Sequence, residues 1–135
     1  MATTYHTVGA TDFQLEHTSS TMLVDVLLII LASTSDAGVI SFLLSRASAV
    51  GSTALTPTRM DTSSAAAAVS AWDTVGATTG GLLLQTYHYT TTNNPVLIGF
   101  PVAASPRVRG TESPANRLKF VDGTNGIATA FWSET

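Results

Sequence analysis

The stretch TMLVDVLLIILAS, Thr21–Ser33, decides how this chain is read, because eight of its thirteen positions are Leu, Ile or Val. A membrane-crossing helix needs about 20 mostly apolar residues. This run is about half as long, carries Asp25 and stops at Ser33-Thr34-Ser35-Asp36, so it is too short to span. No Lys or Arg precedes it, so a cleaved export signal is not expected either. Between helix and strand, the β-branched Val24, Val26, Ile29 and Ile30 and the Ser/Thr/Asp clusters at both ends favour a strand. Strict alternation then places Val24, Val26, Leu28 and Ile30 on one face and Leu23, Leu27, Ile29 and Leu31 on the other. Both faces are apolar. One is expected against the chain's own second sheet, the other beneath a flap, a further layer or a neighbouring subunit.

The rest of the composition agrees with a β protein. A chain of 135 residues makes one domain, residues 1–135, and buries about two thirds of its unfolded surface. Charged residues are 11%, against about 25% in ordinary domains, while Thr supplies one residue in six. Without cysteine there is neither a disulfide framework nor a thiolate metal site. A net charge of −3 argues against nucleic-acid and anionic-membrane partners, which need a basic patch. The charges are unevenly spread: Asp12, Glu16, Asp25 and Asp36 precede every cation, and Arg46, Arg59, Arg107, Arg109, Arg117 and Lys119 follow. The two groups can pair within one chain or between adjacent subunits.

Turn signals divide the chain into eight candidate strands: Phe13–His17, Met22–Leu31, Val39–Ala47, Thr53–Met60, Leu82–Thr90, Val96–Ala103, Arg117–Val121 and Ile127–Ser133. Eight short strands suit a single-domain antiparallel β-sandwich of jelly-roll type. Ser35-Asp36-Ala37-Gly38 reads as a hairpin-like turn, Asn93-Asn94-Pro95 as a loop, and Asp122–Gly126 as a tight connection. The alanine run in Ser63–Trp72 has helical propensity, while its end alternates as a strand does, so a short Ala-rich helical turn followed by a strand is expected there. TVGAT occurs at Thr7–Thr11 and at Thr74–Thr78, and the flanking residues diverge, so the pair reads as two similar turns.

The search for chemistry yields no catalytic, cofactor-binding or metal residues, and no enzyme is expected. His6, His17 and His88 lack ligand spacing. There is no G-x-S-x-G elbow, and Gly76–Gly81 lacks the Lys of a phosphate loop. A jelly-roll hydrolase would have to gather Glu16, His17, Asp73 and His88, which are unspaced in sequence. No Asn stands in a glycosylation sequon. Tyr5, Trp72, Tyr87, Tyr89 and Trp132 are the aromatic candidates for a glycan platform, and Thr91, Thr92, Asn93 and Asn94 form the candidate exposed loop of such a module.

The passage ISFLLSRASAVGSTALTPTRMDTSSAAAAVSAW, Ile40–Trp72, resembles a segment of small structural proteins of tailed bacteriophage particles: an apolar strand ending in Arg-Ala-Ser, a Gly-Ser turn, then LTP, an Asp and an Ala-rich stretch. GFPVAASPRVRG, Gly99–Gly110, and NRLKFVDGTNGIATAFWSE, Asn116–Glu134, fit the same pattern of a final hairpin closing in an aromatic strand. The resemblance implies a virion β-sandwich, assembled in the host cytoplasm, with no enzymatic residues. It agrees with the physical reading of a capsid-associated or decoration subunit, a homo-oligomer with a trimer favoured, that binds other virion proteins such as the major capsid protein. Val24, Leu28, Ile30, Arg107, Arg109 and Trp132 are its candidate contact residues.

Overall fold

The computed structural model describes residues 3–17, 21–33, 40–46, 53–61, 66–73, 83–90, 95–101, 104–108, 117–122 and 126–135. Its strands are β1 (Thr4–Ala10), β2 (Asp12–Glu16), β3 (Val24–Ser33), β4 (Ile40–Ser45), β5 (Thr53–Leu55), β6 (Thr58–Arg59), β7 (Ser70–Asp73), β8 (Leu83–Tyr89), β9 (Val96–Gly99), β10 (Arg107–Val108), β11 (Arg117–Val121) and β12 (Gly126–Glu134). They form two six-stranded sheets. Sheet A runs β10-β3-β12-β1-β6, with β9 also paired to β3, and sheet B runs β5-β7-β2-β11-β4-β8. Every pairing is antiparallel. The chain is therefore an all-β sandwich.

Among the described residues no strand pairs with its neighbour in sequence. The β3–β4 connection crosses from sheet A to sheet B, which corrects the hairpin expected at Ser35–Gly38; that turn itself lies outside the described residues. The same holds at the other end, where β11 belongs to sheet B and β12 to sheet A, so no final hairpin closes the chain. All the pairing is thus non-local, which places the loop-closure entropy ahead of the contacts that compensate it.

The apolar stretch is indeed a strand, but its faces change phase part-way. Trp132 pairs with Val26 and Phe131 with Leu28, leaving Leu27 as an extra residue, a β-bulge. Before it, Val24 and Val26 point into the sandwich; after it, Ile29 and Leu31 do. Strict alternation across Val24–Leu31 is therefore corrected: Leu28 and Ile30 lie on the outer face with Leu27.

Inside, β1, β3 and β12 contribute Val8, Val24, Val26, Ile29, Leu31 and Trp132, with Ala128 and Ala130 leaving room for larger side chains from sheet B. Sheet B answers with a row of rings. Phe13 stacks on Phe120 at 4.5 Å, Phe120 meets Phe42 at 6.4 Å, and Phe42 meets Tyr87 at 6.0 Å.

Three elements differ from the sequence expectation. β1 is a full strand, paired with β12 from Thr4↔Glu134 to Ala10↔Ala128, although His6 and Gly9 weaken its apolar pattern. Thr53–Met60 divides around Thr56-Pro57: β5 joins sheet B and β6 joins sheet A, because proline has no N–H to continue a ladder. The Ala-rich helix is absent among the described residues; Ala66–Val69 is non-helical, and Ser70–Asp73 is a strand held by both β2 and β5. Of the two TVGAT copies, Thr7–Ala10 belongs to β1 with a bend at Thr11, and the second lies outside the described residues.

The corner between β11 and β12 is held by a buried polar pair. The Tyr89 hydroxyl reaches both Asp122 carboxylate oxygens, at 2.8 and 2.7 Å, and a Cβ on Gly126 would stand 2.5 Å from the same carboxylate. Burial, then the hydrogen bond and charge of Asp122, push the Tyr89 phenol above its ordinary 10.0. Tyr89→Phe is expected to lower stability by about 1.5–3 kcal/mol in urea unfolding, since the lost bond is to a charged acceptor. Above about pH 10 the unfolded chain releases the Tyr89 proton and the folded chain retains it, so stability falls as pH rises and is level below. Denaturation midpoints from about pH 8 to 11 check this, and the Tyr89→Phe variant lacks that part of the decline.

Candidate functional site

The end of β12 carries a second buried polar cluster. Glu134, 4% exposed, accepts the Trp132 indole N–H at 3.1 Å and the backbone N–H groups of Ala68 and Val69 at 3.0 and 3.1 Å. His6, fully buried and stacked on Trp132, places Nε2 3.0 Å from Thr4 Oγ1 and 3.6 Å from Glu134 Oε2. Composition alone would make a His–Glu pair an acid–base candidate. Here both side chains are buried, and the carboxylate holds the Ala66–Val69 segment against the end of sheet A. This clamp went unread in the sequence because Ala68 and Glu134 are 66 residues apart.

The outer face of sheet A is different in character. Leu97 on β9 is 61% exposed, Met60 beside β6 55%, Tyr5 on β1 49% and Ile127 on β12 39%. Leu23 and the bulged Leu27 are exposed too, and Leu28, Ile30 and Phe131 are half-buried on the same face. Six of the seven large hydrophobic side chains exposed among the described residues gather here, the seventh being Leu84 on β8. Where Leu27 bulges out, Tyr5, Leu27, Leu28, Met60 and Phe131, together with His6, Asp61 and Trp132, line a groove of about 430 Å³. A monomer gains nothing from a continuous apolar surface of this kind, which is how binding faces are recognised.

The candidate contact residues divide. Leu28 and Ile30 lie on this outer face. Val24 and Trp132 are 0% exposed and belong to the chain's own core, although Trp132 also lines the groove where Leu27 bulges out. Arg107 pairs with Asp25 across the β10–β3 edge, and Arg117 pairs with Glu16 on sheet B. The acidic first third and basic remainder thus meet within the chain. Arg109 and the candidate loop Thr91, Thr92, Asn93 and Asn94 lie outside the described residues.

The hydrolase set is dispersed. Glu16 is in an ion pair on β2 and Asp73 stands on β7. His88, bonded to Ser41 at 3.1 Å, lies on β8, three strand spacings from β2, or about 14 Å. Asp12 has its pKa raised by burial, against the lowering effect of Lys119, with Asp73 raising it further and a backbone hydrogen bond from Asp122 lowering it. The glycan platform does not assemble either: Trp132 and Tyr89 are buried and Trp72 and Tyr87 half-buried, leaving Tyr5 in the apolar face. Among the described residues no His, Asp and Glu cluster could hold a metal ion, and no helix is long and apolar enough to cross a membrane.

Compared with protein-family models, curated proteins and solved structures, the chain matches none.

Glu134→Ala would remove the acceptor of two buried N–H donors, those of Val69 and the Trp132 indole, and of the part-buried Ala68 N–H. It is expected to cost about 3 kcal/mol or more, read as a lower urea midpoint at unchanged slope. A loss under about 1 kcal/mol would show that the clamp is not what holds the Ala66–Val69 segment.

Proposed function

We propose that this chain is a non-enzymatic structural subunit of a virion, capsid-associated or of decoration type, that self-assembles and binds a protein lattice through the outer face of sheet A. The observation that carries the reading is that face: a sandwich with a complete core of its own still presents Leu97, Ile127, Leu27, Met60 and Tyr5 to solvent. Lattice binding makes use of such a surface, because many weak copies of one apolar contact, repeated by symmetry, hold firmly together.

The strand order supports the same reading. Strands β5–β7 extend the two sheets beyond β1 and β2, and β9 and β10 share one edge of β3. The remaining order, β9/β10-β3-β12-β1 and β2-β11-β4-β8, with the chain passing between sheets at nearly every step, supports reading the sandwich as a jelly roll. Viral shell domains use this architecture; lectins and cupins use it too, so the exposed face and not the topology carries the functional argument. The phrases in Ile40–Trp72, Gly99–Gly110 and Asn116–Glu134 that resemble tailed-phage structural proteins point the same way.

An antiserum raised against the purified chain is expected to label intact particles from its natural source, and its absence from purified particles overturns the proposal. Leu97→Asp, at a largely exposed position, is expected to leave the thermal midpoint within a degree or two, about 0.5 kcal/mol, while abolishing incorporation into particles.

A further inference from the structure

Sheet edges invite pairing with other chains, and natural proteins blunt them by shortness, charge, proline or bulges. Among the described strands, three of the four sheet edges follow that rule. In sheet B, β5 is three residues long. In sheet A, β6 is two residues and carries Arg59, while the opposite edge is broken into β9, four residues, and β10, two residues including Arg107. The fourth edge does not. β8 ends sheet B, pairs only with β4 among the described strands, and runs for seven residues, LLQTYHY, without a charge or a proline. Its one irregularity sits at Leu84, leaving Gln85–Tyr89 in regular register with Ile40–Leu44.

We propose that β8 pairs with β8 of a second copy, antiparallel about a two-fold axis at Tyr87, joining the two B sheets into one. Two features select a second copy as the occupant. An isologous contact sets each residue against its own kind or its mirror position, so any charge on the edge would repel itself; Gln85–Tyr89 carries none. The interior ring row Phe13–Phe120–Phe42–Tyr87 also runs out to this edge. Its last member, Tyr87, is only half-buried. The two-fold places Tyr87 against Tyr87 of the second copy, so the row continues across the seam and gains its missing cover. Gln85 then faces Tyr89 of the second copy and Thr86 faces His88, polar pairs without like charges. The inference deepens the self-assembly part of the reading above and replaces the trimer expected from the sequence with a dimer as the basic unit.

The test uses light scattering coupled to size exclusion on the full chain and on Thr86→Lys and Thr86→Glu. Thr86 lies on the outer face of sheet B, away from the ring row, and its copies sit about 7–8 Å apart across the two-fold. Wild type is expected at twice the 14.0 kDa of one chain. Each variant alone is expected to dissociate about tenfold more readily through like-charge repulsion, and an equimolar mixture of the two to recover the dimer. A wild-type monomer, a trimer, or a dimer indifferent to both variants overturns the pairing. If instead the dimer falls to Leu97→Asp and not to the Thr86 variants, this inference fails while the outer-face reading stands. If the charge swap succeeds and particles lack the chain, the pairing stands and the virion reading fails.

Discussion

The ladder between β3 and β12 is the interaction on which the rest of the molecule depends. It runs from Gly126↔Ser33 to Glu134↔Val24 and lies in the middle of sheet A, with β1 on the far side of β12 and β9 and β10 on the far side of β3. Its single irregularity at Leu27 divides an apolar strand into two inward-facing pairs, Val24 with Val26 and Ile29 with Leu31, and turns three further apolar residues outward. The bulge therefore decides which of the strand's apolar residues fill the core and which face outward.

Such an arrangement needs its crossings secured, because among the described residues no turn joins paired strands. Two buried carboxylates do this. Asp122 receives the Tyr89 hydroxyl where the chain leaves sheet B for sheet A, and Glu134 receives two backbone N–H groups and an indole where the Ala66–Val69 segment meets β12. In each case a charge that would be costly to bury alone accepts hydrogen bonds, from one hydroxyl at Asp122 and from three N–H groups at Glu134, so the corner becomes specific as well as stable. The part-buried ion pair of Arg107 with Asp25 ties one edge and contributes less.

The two sheets then present different surfaces outward. Sheet A offers side chains: Leu97, Ile127, Leu27 and their neighbours. Sheet B offers backbone along β8, with a ring row ending at its rim. On the readings proposed above, the first surface would meet a partner of different kind and the second a copy of the same chain.

Much of the β character was legible in the sequence. The β-branched run at Thr21–Ser33, the turn clusters and the lack of cysteine or ligand spacing specified strands, a sandwich and the lack of a recognisable catalytic or metal motif, because side-chain period and residue chemistry are local properties. Tertiary structure alone decided which strands share a sheet, the phase change at Leu27, the recruitment of Thr4–Ala10 by β12, and the non-helical course of Ala66–Val69 despite its alanines. Those outcomes depend on partners tens of residues away, whose hydrogen bonds outweigh helix propensities of a fraction of a kcal/mol per residue. The same holds for the candidate surface: the sequence shows that β3 is apolar on both faces, but only the register with β12 determines that Val24 is core and that Leu27, Leu28 and Ile30 face outward.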